Sequence, residues 1–307
     1  MLSLSPRSII LAASRNRRVE RFVAGAPLSR SVVRRFVAGE AVEDAVRAGR
    51  ELIAKGLTVS LDHLGEDTKD AGQADATVKA YLLLLQRLQE AGLTADGRVE
   101  VSVKLSAVGQ TISDELALEG ARRICEAAAA AGTTVTLDME DHTTTDATLA
   151  TLALLRRDHP RTGAVLQAYL HRTERDCRDL ATAGSRVRLC KGAYREPAEV
   201  AFQSPQDVDA AYVRCLDVLM AGEGYPMLAT HDPAMVEHAL GLGRTAPYEF
   251  QMLYGIRPLE QQRLVAAGYA VRVYVPYGDQ WYGYLMRRLA ERPANLVFFL
   301  RALVSRS

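Results

Sequence analysis

Eight short runs rich in β-branched and other apolar residues end on polar side chains of several chemical kinds. In chain order the runs cover 57–62, 99–104, 134–139, 164–170, 187–190, 227–230, 248–252 and 271–275. Asp62 and His63 close the first, Lys104 and Ser106 the second, and Asp138, Met139 and Glu140 the third. Gln167 lies in the fourth, Arg188 and Lys191 mark the fifth, and Thr230, His231 and Asp232 follow the sixth. Gln251 and Tyr274 belong to the last two.

Three chemistries are open to such a set. A metal site would draw on Asp138, Glu140, Asp141 and His142. Only Asp138 and Glu140 share a strand face, and no second histidine stands at ligand spacing, so no metal is expected. A Schiff-base mechanism would use Lys104 at a strand end, where burial lowers an amine's pKa; it leaves the arginines without a task. A bound flavin uses more of the set. Arg188 and Lys191 supply positive charge where a reduced, anionic ring would sit. Gln167 can pair with the ring's amide edge, and Lys191-Gly192-Ala193 provides a backbone that can approach a cofactor closely. Thr230 and His231 suit polar contacts to the rest of a dinucleotide.

These residues need a scaffold that brings strand ends together. A strand has a period of two, so its faces can be separated by eye. Val99, Val101 and Val103 share one face, and Glu100, Ser102 and Lys104 the other. Val135, Leu137 and Met139 oppose Thr134, Thr136, Asp138 and Glu140; Arg186 and Arg188 oppose Val187 and Leu189; Arg272 and Tyr274 oppose Val271, Val273 and Val275. Alanine- and leucine-rich stretches with helical spacing, such as 76–91 and 114–131, lie between the runs. Eight strand–helix units in series predict an α/β protein, a (βα)8 barrel of the TIM type. No Gly-x-Gly-x-x-Gly follows the first strand, which speaks against a Rossmann sheet.

In a barrel the apolar strand faces meet the surrounding helices and the polar faces point inward. Buried charge is costly unless paired or bound. The converging acidic and basic rows therefore point either to a polar ligand in the upper barrel or to an ion-pair network that satisfies itself. The expected division is a helical arm over 1–50 and the barrel over 51–307. A helix over 279–291 lies over the active site, and another spans 293–304 behind Pro293. On the first of these, Tyr284, Arg287, Arg288, Glu291 and, just beyond, Asn295 recur at three- and four-residue steps. Paired arginines clamp carboxylates; the plain alternative is an exposed ion pair between Arg287 and Glu291.

Composition bounds the partners. The 307 residues are 48% hydrophobic and 24% charged with a formal net charge of +1, which gives no drive toward nucleic acid. No apolar run approaches the roughly 18 residues of a membrane span, and the apolar piece at 9–13 is too short for a signal-peptide core. A cytoplasmic protein with reduced, buried thiols at Cys125, Cys177, Cys190 and Cys215 is expected. Eight arginines against Glu20 crowd residues 1–35, which suits either a solvated helix face or peripheral contact with an anionic membrane.

Taken in order, these segments resemble bacterial monofunctional proline dehydrogenases and the proline dehydrogenase domain of bifunctional proline-utilisation enzymes. The matching pieces are Val-Ser-Val-Lys104-Leu-Ser, Leu-Asp138-Met-Glu, Leu-Gln167-Ala-Tyr-Leu, Arg188-Leu-Cys-Lys191-Gly-Ala-Tyr194, Ala-Thr230-His231-Asp, Glu-Phe-Gln251-Met-Leu, Val-Tyr274-Val-Pro and Tyr284-Leu-Met-Arg287-Arg288-Leu-Ala-Glu291. The resemblance implies a flavoprotein oxidoreductase that binds FAD and oxidises L-proline to 1-pyrroline-5-carboxylate. A hydride would pass from proline C5 to flavin N5 and the electrons on to a membrane quinone, the first step of proline catabolism to glutamate. It places Met139, Gln167, Arg188, Lys191, Gly192, Ala193, Thr230 and His231 against FAD. Lys104, Tyr274, Tyr284, Arg287 and Arg288 fall around the substrate, with Asp138 ordering the site and Glu291 pairing with an inward basic residue. Neither the ribbon-helix-helix DNA-binding segment nor the aldehyde dehydrogenase domain of bifunctional members is matched, so repression and the second oxidation are not expected.

Overall fold

The structure is a computed structural model that describes residues 33–65 and 68–291; the side chains of Arg287 and Glu291 lie outside that description, as do most of the arm and the 293–304 helix. Helix α1 (Val42–Ile53) leads into eight strands: β1 (Thr58–His63), β2 (Val99–Lys104), β3 (Val135–Asp138), β4 (Ala164–Gln167), β5 (Arg186–Cys190), β6 (Tyr225–Ala229), β7 (Glu249–Leu253) and β8 (Ala270–Tyr277). Between them run α2 (Ala71–Glu90), α3 (Asp114–Ala130), α4 (Thr145–Leu155), α5 (Thr173–Leu180), α6 (Pro205–Ala221), α7 (Pro233–Gly241) and α8 (Pro258–Ala266), and α9 (Trp281–Glu291) follows β8. Helix starts are marked chemically. Asp70, Ser113 and Ser204 accept from backbone N–H groups of the first turns of α2, α3 and α6 at 2.9–3.1 Å, and proline opens α6, α7 and α8.

The strands form one parallel sheet in the order β3-β2-β1-β8-β7-β6-β5-β4. The ring closes beside Gly163: Leu137 N–H donates to its carbonyl at 2.9 Å and its own N–H donates to Val135 O at 2.8 Å. A Cβ on Gly163 would sit 2.5 Å from Thr136 Oγ1, so a larger residue at this seam would have to displace the Thr136 side chain. This is the (βα)8 barrel that the alternation predicts. Val99, Val101, Val103, Val135, Leu137, Val271, Val273 and Val275 all belong to the core between sheet and helices.

The opposite faces fill the barrel with charge. In the lower interior Arg186 is paired with Glu100, and Arg272 Nε donates to Glu249 Oε1 at 2.7 Å. One layer up, Arg188 donates to Ser60 at 3.1 Å, Ser102 at 2.9 Å and Glu100 at 3.2 Å, and also to Gln251. Four carboxylates (Asp62, Glu100, Asp138, Glu249) thus face four cations (Lys104, Arg186, Arg188, Arg272). The self-satisfied network is therefore real in the lower barrel, where it seals the floor beneath the site.

Most strand ends move by only a residue or two, and two boundaries shift in a way that matters for the site. The fourth run keeps its apolar pattern through Leu170, but β4 stops at Gln167, where the chain turns so that Leu170 N–H donates to Gln167 O at 3.1 Å. The boundary at residue 50 falls inside α1, whose Ala45, Ala48 and Leu52 are buried in the core. Upstream, Ala38 N–H donates to Pro276 O at 2.9 Å, and Trp281 Nε1 donates to Glu40 at 2.9 Å. The described end of the arm therefore anchors the start of α9.

Candidate active site

The C-terminal strand ends assemble a compact polar group. Asp138, on β3, accepts from Arg188 Nη1 at 2.6 Å and Ser102 Oγ at 2.7 Å through one oxygen, and from Tyr274 OH at 2.7 Å through the other. Lys104 Nζ donates to Asp62 Oδ2 at 2.7 Å and to Tyr274 OH at 3.5 Å, and lies 3.8 Å from Asp138 Oδ2. Tyr81 of α2 reaches in beneath them, donating to Ser102 O at 2.7 Å and lying 3.3 Å from Asp62. The Arg188 guanidinium carbon stands 5.3 Å from the centre of the Tyr274 ring.

Burial and charge set the protonation states. Burial, and then the Asp138 carboxylate, push the Tyr274 phenol well above its usual range, so it stays a proton donor. Burial works against charge on Arg188, but Asp138 and Glu100 overcome it and hold the guanidinium above its ordinary value. Lys104 is paired with Asp62 at 2.7 Å and lies 3.8 Å from Asp138, an arrangement that uses its head group as a hydrogen-bond donor.

Above this group opens a cavity of about 430 Å³. It brings together the expected Lys104, Asp138, Met139, Gln167, Arg188, Lys191, Gly192, Ala193, Thr230, His231, Tyr274, Tyr284 and Arg288. Arg288 stacks on Tyr284, its guanidinium carbon 5.2 Å from the ring centre. On the rim, Lys191 is ion-paired with Asp209 and with Asp232 at 2.7 Å. Asp232 also caps α7 through Ala234 N–H at 3.0 Å. Gln167 Nε2 donates to Glu140 O at 2.7 Å; His231 Nε2 accepts Leu253 N–H at 2.9 Å; Thr230 Oγ1 accepts Asp232 N–H at 3.1 Å. The run 138–142 does not converge on one point: Glu140 binds Ser106, His142 binds Glu196 and Asp141 binds Thr143.

The structure adds residues that the sequence reading passes over. Asp62 and Gln251 stand among the polar strand ends of the sequence without a particular task; the structure gives Asp62 to Lys104 and Gln251 to Arg188. Tyr81 comes from a helix and carries no comparable signal. Gly192 has a more specific reason than cofactor approach. Its φ is +115°, and a Cβ there would lie 2.4 Å from the Tyr169 ring.

The residues present fit a flavin. The cavity lies within the roughly 300–1,000 Å³ of small-molecule sites. Met139, Val165, Met252 and Leu253 offer apolar walls for a flat ring, while Arg188 and Lys191, held by their carboxylate partners, offer N–H donors and Gly192-Ala193 a backbone that can be approached closely. A barrel with a sealed, charge-balanced floor and such a mouth defines a cofactor-dependent enzyme acting on a small polar substrate.

Comparison with known proteins gives the family. A model described as proline dehydrogenase matches residues 45–301. Proline dehydrogenase 1 of Bacillus subtilis is 36% identical over 308 residues, covering 98% of this chain and 99% of the relative. The proline dehydrogenase of Deinococcus radiodurans is 39% identical over 285 residues, covering 89% of this chain and 90% of the relative. The solved structure of proline utilization A (PutA) from Bdellovibrio bacteriovorus, inactivated by N-propargylglycine, aligns with a TM-score of 0.80 at 25% identity, covering 97% of this chain and 38% of that one. The chain belongs to the proline dehydrogenase family.

Proposed function

We propose that the chain oxidises L-proline to 1-pyrroline-5-carboxylate with bound FAD, in the cytoplasm, and passes the electrons to a quinone. The observation that carries this reading is the group Asp62–Lys104–Asp138–Tyr274–Arg188 set under a cavity that Tyr284 and Arg288 roof from α9. FAD, when bound, supplies the acceptor for the hydride that leaves proline C5. Met139, Gln167, Arg188, Lys191, Gly192, Ala193, Thr230 and His231 would hold it. Mass analysis of the cofactor released by denaturation tests the dinucleotide. FAD is expected, and FMN would contradict the roles given to Thr230 and His231.

Proline is a zwitterion, and the charge in the cavity is arranged for one. Arg288, Arg287 and Lys104 would grip the carboxylate by charge-assisted hydrogen bonds. Asp62, 2.7 Å from Lys104 Nζ, holds the ammonium group in place at the floor of the cavity. Closing α9 over the mouth would exclude water and fix the ring, a positioning effect that can supply several kcal/mol. Glu291 would pair with an inward basic residue and so hold α9 closed.

Asp138 is assigned to order rather than to proton removal, because Arg188, Ser102 and Tyr274 already donate to its oxygens. Asp138→Asn is expected to slow flavin reduction roughly 10²-fold, the cost of about an ångström of misplacement, with the pH profile of that step unchanged. A flattened or shifted profile would make Asp138 the base. Tyr274 would also select the substrate: its fixed phenol leaves little room for a ring hydroxyl, so proline should be turned over well ahead of 4-hydroxyproline. Equal turnover of the two would remove that role.

No helix among the described residues is long and apolar enough to cross a membrane. A membrane quinone would then be met by peripheral contact at the inner face, for which the arginines of 1–35 are suited. Vesicles with anionic lipid should retain the protein at low salt and release it at high salt. Equal retention by neutral vesicles would argue against this.

A further inference from the structure

Glu196 lies outside the cavity, on the loop between β5 and α6, yet three loops converge on its carboxylate. Its side chain is only 4% exposed. It accepts the backbone N–H of His142, in the turn after β3, at 2.9 Å. His142 Nδ1 bonds to its second oxygen. Tyr169 OH, from the turn after β4, donates to it at 3.3 Å. A buried carboxylate is costly unless its lone pairs are taken up, and here the partners come from two other strand ends, His142 after β3 and Tyr169 after β4.

The consequence reaches the cavity through Tyr169. Its backbone N–H donates to Lys191 O at 2.9 Å, and its ring fills the space into which a Cβ of residue 192 would project, 2.4 Å away. The Gly192-Ala193 backbone forms part of the cavity wall. The path therefore runs from the Glu196 carboxylate to the Tyr169 hydroxyl, from the ring to Gly192, and from Gly192 to the wall. Glu196 returns on the same loop only four residues later, so the clamp closes the loop on itself around the ring.

We propose that Glu196 is a positioning residue for the flavin site, clamping Tyr169 and His142 so that the Lys191–Ala193 segment is set before cofactor arrives. This rests on the flavin reading above. Preorganisation of this kind raises affinity by removing the cost of ordering the loop on binding.

The test is titration of apo-protein with FAD, followed by flavin fluorescence and visible circular dichroism, for wild type, Glu196→Gln and Glu196→Ala, alongside apo-protein melting. Gln keeps acceptor capacity for His142 N–H and Tyr169 OH, so it should partly rescue the site. The expected order of FAD dissociation constants is wild type below Gln below Ala, with Ala weakened roughly 10-fold or more, while KM for proline at saturating FAD stays within about twofold. If Ala does not fold, the Gln variant together with Tyr169→Phe, which keeps the ring and removes the hydroxyl, carries the test. Lower melting temperatures with unchanged FAD affinity and unchanged flavin dichroism would overturn the proposal and leave Glu196 a structural residue. Wild-type protein that binds no FAD would overturn the flavin reading and the clamp with it.

Discussion

Replacing Arg188 by methionine is expected to lower the melting temperature by roughly 10 °C and to leave the purified protein without flavin. Arg188 spans the barrel from β5, donating to Ser60, Glu100, Ser102, Asp138 and Gln251, which come from four other strands. Removing one partner of a buried ion pair costs about 3–5 kcal/mol, because the charge left behind stays desolvated. For a domain of this size each kcal/mol moves the midpoint by roughly 2–4 °C. The second effect follows from position: the same guanidinium reaches the cavity and holds Asp138, which in turn holds Tyr274. A variant that melts like wild type and keeps its flavin would show that the arginine is replaceable within the network.

The acid side of the stability curve gives a related check. Burial raises the Glu100 carboxyl, but Arg186, Arg272 and Arg188 outweigh burial and hold it well below the usual carboxylate range. A depressed folded pKa means that this stabilisation is complete above the unfolded value of about 4.3 and is lost only as pH falls through the lower folded value. Thermal stability should therefore hold down to about pH 4.5 as far as Glu100 is concerned. In the Arg188 variant the folded Glu100 pKa moves back toward the unfolded value, so the decline should still begin at about pH 4.3 but the part of it owed to Glu100 should be smaller.

Arg288→Lys is expected to raise KM for proline roughly 30-fold, from the loss of about 2 kcal/mol of charged hydrogen bonding, with FAD affinity nearly unchanged. The guanidinium lies on the Tyr284 ring, and both residues come from α9 rather than from the loop after β5 that is assigned to the cofactor. Lysine keeps the charge but loses the planar fork and the stacking surface. Steady-state kinetics with an FAD titration on the same preparation separate the two effects. Loss of FAD with proline affinity intact would place Arg288 on the cofactor and overturn the clamp.

Much of this arrangement was legible in the alternation of a few strands. Glu100, Ser102 and Lys104 on β2, Arg186 and Arg188 on β5, and Arg272 and Tyr274 on β8 each show an inward phase that apolar neighbours make unmistakable. Pairing across the barrel was not legible, because period two says which way a side chain points and not which strand it faces. That Glu100 meets Arg186 while Asp138 meets Arg188 depends on the stagger of the strands. Asp62 is one polar strand end among many in the sequence, and its tie to Lys104 depends on the same stagger. Tyr169 misled for a different reason. Ala168-Tyr169-Leu170 continues an apolar run, but the chain turns after Gln167, with Leu170 N–H donating to Gln167 O, and nothing in the apolar pattern marks that turn. The tie between Glu196, His142 and Tyr169 joins residues far apart in the chain, and no local pattern announces it.

The central claim is that the barrel mouth holds a flavin that proline reduces. The most direct measurement is the visible spectrum of the purified protein under anaerobic conditions, before and after L-proline. A flavin spectrum that bleaches on addition is the predicted result. A flavin spectrum indifferent to proline would contradict the substrate assignment. A colourless protein that cannot be reconstituted with FAD would contradict the account at its root.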